Sequence, residues 1–198
     1  MALAVHSPID GNPTSEDAVN FSAMAEAFFS AANIAATLSC VVELATSTVN
    51  GCEYAGVFLL EESVLTTPAF TDPKVVELDA LQLRTGQGPS LDAISHRLTV
   101  YTADMANDLR WLRFAPYALG LGIHSILALP LDSSSQLGSL TLSARQPAAF
   151  DVIDRAKASL LASLAGIALS VARHEDGRGG GGGAGAGRDL SRSRPFSM

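Results

Sequence analysis

The order of local signals between Gln82 and Asp154 constrains the fold more than any other feature of this chain. A glycine and proline turn at residues 86–89 begins a short helix, because proline suits a first helical turn where its missing N–H donor is not needed. An extended segment, an acidic loop, a Trp-containing helix and two strands follow it along the chain. This succession of short helices and strands predicts a small α/β domain.

Length and charge limit the function classes. The 198 residues have room for one domain with tails. The net charge is −7, and residues 1–172 carry 8 basic and 17 acidic side chains, a net of −9. Binding to a phosphate backbone depends on Lys and Arg, so an acidic body makes nucleic acid an unlikely partner of the folded part.

Three further features of the sequence indicate where in the cell the protein is located. Cys40 and Cys52 lack the spacing of a metal knuckle or a redox pair, and we interpret them as buried, reduced thiols. The first residues show neither the basic nor the apolar region of a secretory signal. Residues 158–172 are uncharged but too short for a membrane span, so no membrane contact is expected. These features predict a cytoplasmic protein.

The predicted organisation is a disordered lead (residues 1–14), a folded domain (15–173) and a Gly/Arg-rich disordered tail (174–198). Inside the domain, strands are predicted at 54–60, 64–70, 98–101, 123–131 and 137–144, and helices at 18–32, 37–49, 73–85, 90–95, 111–119 and 152–172. In the helix after Asp72, the apolar positions are set against Lys74, Glu77 and Asp79 as its polar positions. Asp151 is predicted to cap the last helix, with Asp154 answering back to the cap.

Several short motifs together resemble the GAF domain, a small α/β sensory module. They are the step from Gly51 to Tyr54, Gln82 followed by the run Gly86-Gln87-Gly88-Pro89-Ser90-Leu91-Asp92-Ala93, the acidic loop with Asp104, Asp108, Arg110 and Trp111, and the Phe150-Asp151 start of the last helix. The resemblance covers residues 18–172. It implies a central antiparallel sheet of about five or six strands with helices on both faces.

Within this family the chain is most similar to the GAF domain of actinobacterial regulators that carry an ANTAR RNA-binding domain. Two departures accompany the similarity. Ser90 stands where that subgroup often has cysteine, and a run of glycines stands where an ANTAR domain would begin. The alternative function is therefore a transcription antitermination regulator of the GAF-ANTAR kind with a lost or truncated output domain.

The sequence predicts no enzyme, metal or cofactor. It has no P-loop, Rossmann glycine pattern, zinc-protease helix or nucleophile elbow. His124 and Ser125 are neighbours in a predicted strand, which sends their side chains to opposite faces. Asp92, Asp104 and Asp108 with His96 or His124 could bind a metal if they converged, but helix caps and turns already explain the aspartates. No haem or bilin is expected at a histidine or cysteine.

The leading prediction is a non-enzymatic sensor or regulatory domain that binds a small molecule or mediates dimerisation in signalling. Residues between 70 and 122 should cover one face of the sheet. The expected ligand-binding residues are Ser90, Leu91, Trp111, Phe114, Tyr117 and Ile126, with free backbone donors at the helix start near Ser90. The alternative for this space is filled core.

A homodimer through the first and last helices is also expected. Two apolar rows run along the last helix, one of Ile153, Leu160, Leu164, Ile167 and Val171, the other of Ala158, Leu161, Ala165 and Ala168. One row could cover the sheet and the other a partner, although both rows could instead be buried within one chain.

Overall fold

The computed structural model describes residues 34–61, 64–132 and 137–179. The predicted lead, the predicted helix at 18–32 and residues 180–198 of the predicted tail lie outside these ranges. The described helices are α1 (Ile34–Thr48), α2 (Pro73–Thr85), α3 (Pro89–His96), α4 (Ala115–Gly120) and α5 (Val152–Gly179), with a 3₁₀ turn at Leu109–Trp111. The strands are β1 (Tyr54–Glu61), β2 (Val64–Phe70), β3 (Val100–Thr102), β4 (Ser125–Asp132) and β5 (Leu137–Ala144).

The five described strands form one antiparallel sheet in the order β2-β1-β5-β4-β3, with helices on both faces. The β4–β5 and β1–β2 hairpins pair consecutive strands, and β1 pairs with β5 through the register Val57 to Leu140. The predicted mixed α/β architecture is confirmed. Strand β5 lies at the centre of the sheet, so its side chains face a helical layer on each side.

One face of the sheet carries an apolar core under α1 and α5. Alternate strand residues such as Val57, Leu129 and Leu142 point into it, as the period of two in a strand requires. Helix α1 contributes Val41 and α5 contributes Leu161, both with 1% or less of their surface exposed. We call this the first core. Its burial anchors the two long helices to the sheet.

The opposite face lies under α2, α3 and the segment from β3 to β4. A second core forms there from Leu78, Leu81, Met105, Trp111, Phe114, Ala115, Ala118, Ile123 and Ile126. The alternate residues of β5 on this face are polar, namely Ser139, Thr141 and Ser143, and they are buried as well. The two faces of the sheet therefore differ in chemistry.

The cap of the last helix forms as the sequence predicts. Asp151 Oδ1 accepts from the Asp154 N–H at 2.8 Å, and Asp154 Oδ2 accepts from the Asp151 N–H at 3.3 Å. This reciprocal pair satisfies donors that a helix start leaves without partners. Asp72 caps α2 by accepting from the Lys74 N–H at 2.8 Å. Gly86 ends α2 in a left-handed conformation, with φ 63°.

Two element predictions are wrong in extent. The helix predicted at 111–119 is a 3₁₀ turn at Leu109–Trp111 followed by α4, because Pro116 lacks an N–H and fits only a first turn. The last helix continues to Gly179 instead of ending near Ala172, since residues 173–176 all tolerate a helix.

Strand β2 is an edge strand with an irregular register. Val57 pairs with Ala69 while Leu59 pairs with Thr66, so Thr67 and Pro68 form a bulge opposite one residue of β1. A bulge bends its strand and redirects side chains. Here it accompanies a Thr67 hydroxyl that points to α2.

No helix within the described parts of the chain combines the length and the apolar character that crossing a bilayer requires.

Candidate functional site

The candidate site is the sheet face beneath α2, α3, the 3₁₀ turn and α4. Of the residues predicted from sequence, Trp111, Phe114 and Ile126 lie together in the second core and are buried. Ser90 is also fully buried, at the start of α3. Leu91 is partly exposed, and Tyr117 is 51% exposed at the surface of α4. The structure thus gathers three of the six in one cluster.

A chain of polar side chains runs from β2 past α2 and α3 to the central strand, and we call it the polar seam. All its members are buried except Thr67 of β2, which is partly exposed. Its members are Thr67, Asp79, Gln82, Ser90, Ser139 and Thr141. Gln82 Nε2 donates to Asp79 Oδ1 at 3.0 Å and to Ser90 Oγ at 2.9 Å. Ser90 Oγ lies 2.8 Å from Thr141 Oγ1. Buried polar groups are stable only when hydrogen-bonded, and these groups satisfy one another.

Gln82 also holds the start of α3. Its Oε1 accepts from the Ser90 N–H at 2.8 Å, so one amide side chain bonds both the backbone and the hydroxyl of Ser90. The first N–H groups of a helix have no partner within the helix. The free donor predicted near Ser90 is therefore occupied, because Gln82 reaches it from α2.

The Gly88 backbone makes this contact possible. Gly88 has φ 150° and ψ 162°, a conformation that is essentially restricted to glycine. A methyl group at this position would overlap the Gln82 side chain. The motif glycine is thus explained by the close approach of Gln82 to the loop before α3.

Asp79 is the acidic member of the seam and is 2% exposed. The sequence groups Asp79 with Lys74 and Glu77 as the polar positions of its helix, but the structure places Asp79 on the buried side. Asp79 lies four residues after Val75 and three before Gln82, which places all three on the buried face of α2. Burial raises the pKa of the Asp79 carboxyl to about 7, against the lowering effect of the hydrogen bonds from Thr67 and Gln82.

Trp111 is fixed at both its edge and its face. The indole Nε1 donates to Asp92 Oδ2 at 2.8 Å, which ties the 3₁₀ turn to α3. The Arg110 guanidinium lies over the Trp111 ring, 4.2 Å from its centroid. Arg110 also donates to the Tyr101 carbonyl at 2.7 Å and pairs with Asp108. Hydrogen bonds from Arg110 lower the pKa of the Asp108 carboxyl to about 2.

The acidic residue Asp104 stabilises its own loop through hydrogen bonds. Asp104 accepts from the Ala106 N–H and from Asn107 Nδ2, and its Oδ1 lies 3.5 Å from His124 Nδ1. His96 Nδ1 contacts the carbonyl of Asp92 on the exposed side of α3. No group of three potential metal ligands is found within the described residues.

The two cysteines lie away from the candidate site. Cys52 belongs to the first core, on the opposite face of the sheet, and burial raises the pKa of its thiol to about 12. Cys40 is a partly exposed residue of α1, and burial raises the pKa of its thiol too. A thiol with a raised pKa is a weak nucleophile at neutral pH, because the thiolate is the reactive form.

Most of the polar seam could not be predicted from the sequence. Asp79, Ser139 and Thr141 carried no signal beyond being polar, and polar residues are exposed more often than buried. A helical-wheel count would have placed Asp79 and Gln82 beside Val75. The burial of the polar side of β5 was harder to predict, because alternation in a strand does not show whether its polar face meets water or another layer.

The model of the GAF domain family matches residues 31–170, so the chain belongs to this family. A search of curated protein sequences found none with significant similarity to this chain.

Solved structures with the same fold share little sequence with the chain. The GAF domain from a phosphoenolpyruvate-protein phosphotransferase of Coxiella burnetii is 16% identical, with a TM-score of 0.65 over 81% of this chain and 96% of that one. The free methionine-R-sulfoxide reductase of Staphylococcus aureus is 21% identical, with a TM-score of 0.61 over 80% and 97%. A bacteriophytochrome from R. palustris is 11% identical, with a TM-score of 0.64 over 84% of this chain and 39% of that one.

Proposed function

We propose that this GAF domain is a non-enzymatic sensor or regulatory module that binds a small, partly apolar molecule beside Trp111. One observation carries the proposal. Two buried aromatic rings, Trp111 and Phe114, lie in the segments that cover this face of the sheet, and the same segments contain hydrogen-bonding groups such as Asp92. Ligand sites usually combine an apolar lining with a few placed polar groups. Signalling proteins among the structural neighbours, such as the bacteriophytochrome, agree with a sensory role.

The geometry favours Trp111 over either histidine as the ligand contact. His96 is exposed and bonds its own helix, while His124 pairs with Asp104 beside the acidic loop. A ligand with an anionic or carbonyl group could use the start of α3, but it would have to displace Gln82 from the Ser90 N–H. Leu91 on α3 is partly exposed and Tyr117 on α4 is 51% exposed, so both are open to a ligand that leaves Gln82 in place.

The chemistry of the thiols supports a non-enzymatic role. Some structural neighbours are free methionine-R-sulfoxide reductases, so reduction of a sulfoxide is the enzymatic alternative to consider. Neither Cys40 nor Cys52 belongs to the second core or the polar seam, and Ser90 occupies the buried start of α3. A hydroxyl at that position cannot cycle through a disulfide.

The ligand proposal predicts unequal effects of three substitutions. Native mass spectrometry of the protein purified from its source should show a bound small molecule, and Trp111→Ala should abolish its binding. His96→Ala and His124→Ala should change the dissociation constant by less than about tenfold, or 1.4 kcal/mol. Trp111→Phe is the control that keeps an aromatic ring in the core. If a histidine substitution removes binding while Trp111→Ala does not, the assignment of the site is wrong.

We also propose homodimerisation through the first and last helices, and the support for it comes from α5, the last helix. On α5, Ala158, Leu161 and Ala165 are buried in the first core, whereas Ile153, Leu160 and Ile167 are each more than half exposed. The exposed residues recur every seven positions, so they form one stripe along the helix. Such a stripe matches a second copy of itself across a two-fold axis.

Light scattering at micromolar concentration should therefore give the mass of a dimer. Leu160→Glu should convert the protein to monomers, since it places a charge in the middle of the stripe. Leu109→Glu is the matched control, because Leu109 is also an exposed leucine but lies on the 3₁₀ turn. A monomer mass for the unmodified protein would refute the dimer.

A second candidate function is transcription antitermination of the GAF-ANTAR kind. It is supported by the motif residues Gly88, Asp92 and Trp111, because the Asp92 N–H donates to the Gly88 carbonyl at 3.1 Å and the Trp111 Nε1 donates to Asp92 Oδ2 at 2.8 Å. An intact ANTAR reading frame in the same or an overlapping frame downstream would favour it.

A further inference from the structure

The carboxyl group of Asp79 is buried between α2 and the sheet. Oδ1 accepts from Gln82 Nε2 at 3.0 Å and Oδ2 accepts from Thr67 Oγ1 at 2.9 Å. Both donors are neutral, so neither offsets a full negative charge. Burying an ionised carboxylate without a counter-charge is costly, and proteins usually avoid it by keeping the group protonated.

No cation of the described chain compensates this charge. Strands β2 and β5 carry no titratable side chain. Among the side chains that the structure describes on the elements around Asp79, the other titratable ones are Lys74, Glu77 and Arg84 on α2, Tyr54 on β1, Asp92 and His96 on α3, and Tyr117 on α4. Strand β1 also ends at an acid, Glu61. Lys74 contacts Tyr54, Arg84 lies over the Tyr117 ring, Asp92 accepts from Trp111, and Glu77 and His96 are exposed.

The same carboxyl is two hydrogen bonds away from the start of α3. Gln82 connects it to both the N–H and the hydroxyl of Ser90, and Ser90 contacts Thr141 on the central strand. A change at Asp79 therefore reaches α3 through one side chain. Helix α3 also holds Trp111 through Asp92, so it supports the covering segment of the candidate site.

We propose that Asp79 is a proton-binding site whose occupancy sets how firmly α2 holds the start of α3. In the neutral acid, the Oδ2 hydroxyl donates to Thr67 Oγ1 while Oδ1 keeps accepting from Gln82. When the proton leaves, a buried charge remains, and opening of the α2–α3 contact to water relieves it. The proposal is independent of any ligand, and its failure would leave the proposed function untouched.

The direction of the pH dependence follows from linkage. Burial raises the pKa of Asp79 from 3.8 to about 7. A raised pKa in the folded state means that the folded protein binds more protons than the opened or unfolded one between these values. The stabilisation is fully present below the unfolded pKa and is lost as the pH rises towards 7. Higher pH should therefore loosen α3.

The direct test is a carbon-13 NMR titration of the Asp79 carboxyl in the unmodified protein. We expect the midpoint to lie near pH 7, because burial without a counter-charge raises the pKa of this carboxyl to about 7. A midpoint at the value of an exposed aspartate, about 4, would overturn the proposal. Because this measurement needs no substitution, it decides the question even where a variant fails to fold.

The coupling to α3 is tested by hydrogen exchange of its backbone amides, corrected for the intrinsic pH dependence of exchange. Protection should fall about tenfold between pH 6 and pH 8 if opening returns Asp79 to its ordinary pKa. Asp79→Asn, which imitates the neutral acid, should remove this fall. Glu77→Gln, an exposed acid on the same helix, should keep it. Equal pH dependence in the unmodified protein and Asp79→Asn would refute the coupling.

Discussion

Trp111→Ala is expected to lower the free energy of unfolding by about 3–5 kcal/mol, the usual cost of removing a buried aromatic side chain. Trp111 is 2% exposed and packs in the second core with Phe114. Its removal would leave a cavity against the sheet and would take from Asp92 the donor that now satisfies it. Urea denaturation monitored by circular dichroism measures the effect.

Two comparison variants separate packing from hydrogen bonding. Trp111→Phe keeps most of the apolar contact but loses the hydrogen bond to Asp92. Apart from the effect of the smaller ring, it should therefore lower the free energy of unfolding by only about 1 kcal/mol. Tyr117→Ala removes a side chain that is 51% exposed and should change stability by less than about 1 kcal/mol. If Trp111→Ala is as mild as Tyr117→Ala, the ring does not fill the second core.

Gly88→Ala is expected to destabilise the protein by about 3 kcal/mol or more. The backbone conformation of Gly88 costs about 1–3 kcal/mol for a residue with a side chain. The added methyl group would also push Gln82 from its place against the loop. Breaking the Gln82 contacts leaves buried polar groups without partners, at about 1–3 kcal/mol each.

Gly120→Ala is the matched control for Gly88→Ala. A methyl group at Gly120 meets nothing within 4 Å, and this residue lies in α4, where alanine is favoured over glycine. We expect unchanged or slightly higher stability from the same urea experiment. Equal tolerance of the two substitutions would contradict the close packing of Gln82 on Gly88.

Local signals predicted the frame of the fold. The cap at Asp151 depends on a neighbour three residues away, and the sequence shows such neighbours directly. The contact between Ser90 and Thr141 joins residues 51 positions apart. It depends on which layer covers the polar side of β5, and periodicity carries no information about that layer.

The candidate site was predicted in part for the same reason. The density of aromatic residues indicated the cluster of Trp111 and Phe114, because large apolar side chains are buried in most folds. The burial of Asp79 was missed because an acid is assigned to the surface unless a partner is known. Of its partners, Gln82 lies three residues along the same helix, whereas Thr67 contacts it from the bulge of β2, which the sequence does not show.

The two borders of the sheet bear on how copies of this chain meet in solution. Unpaired N–H and C=O groups at a border can recruit a strand from another molecule. The β2 border is interrupted by Pro68, which has no N–H to offer, and the β3 border is three residues long. Neither gives an incoming strand a long template. Strand addition, the route to open-ended fibres, is therefore disfavoured at the described borders of this sheet.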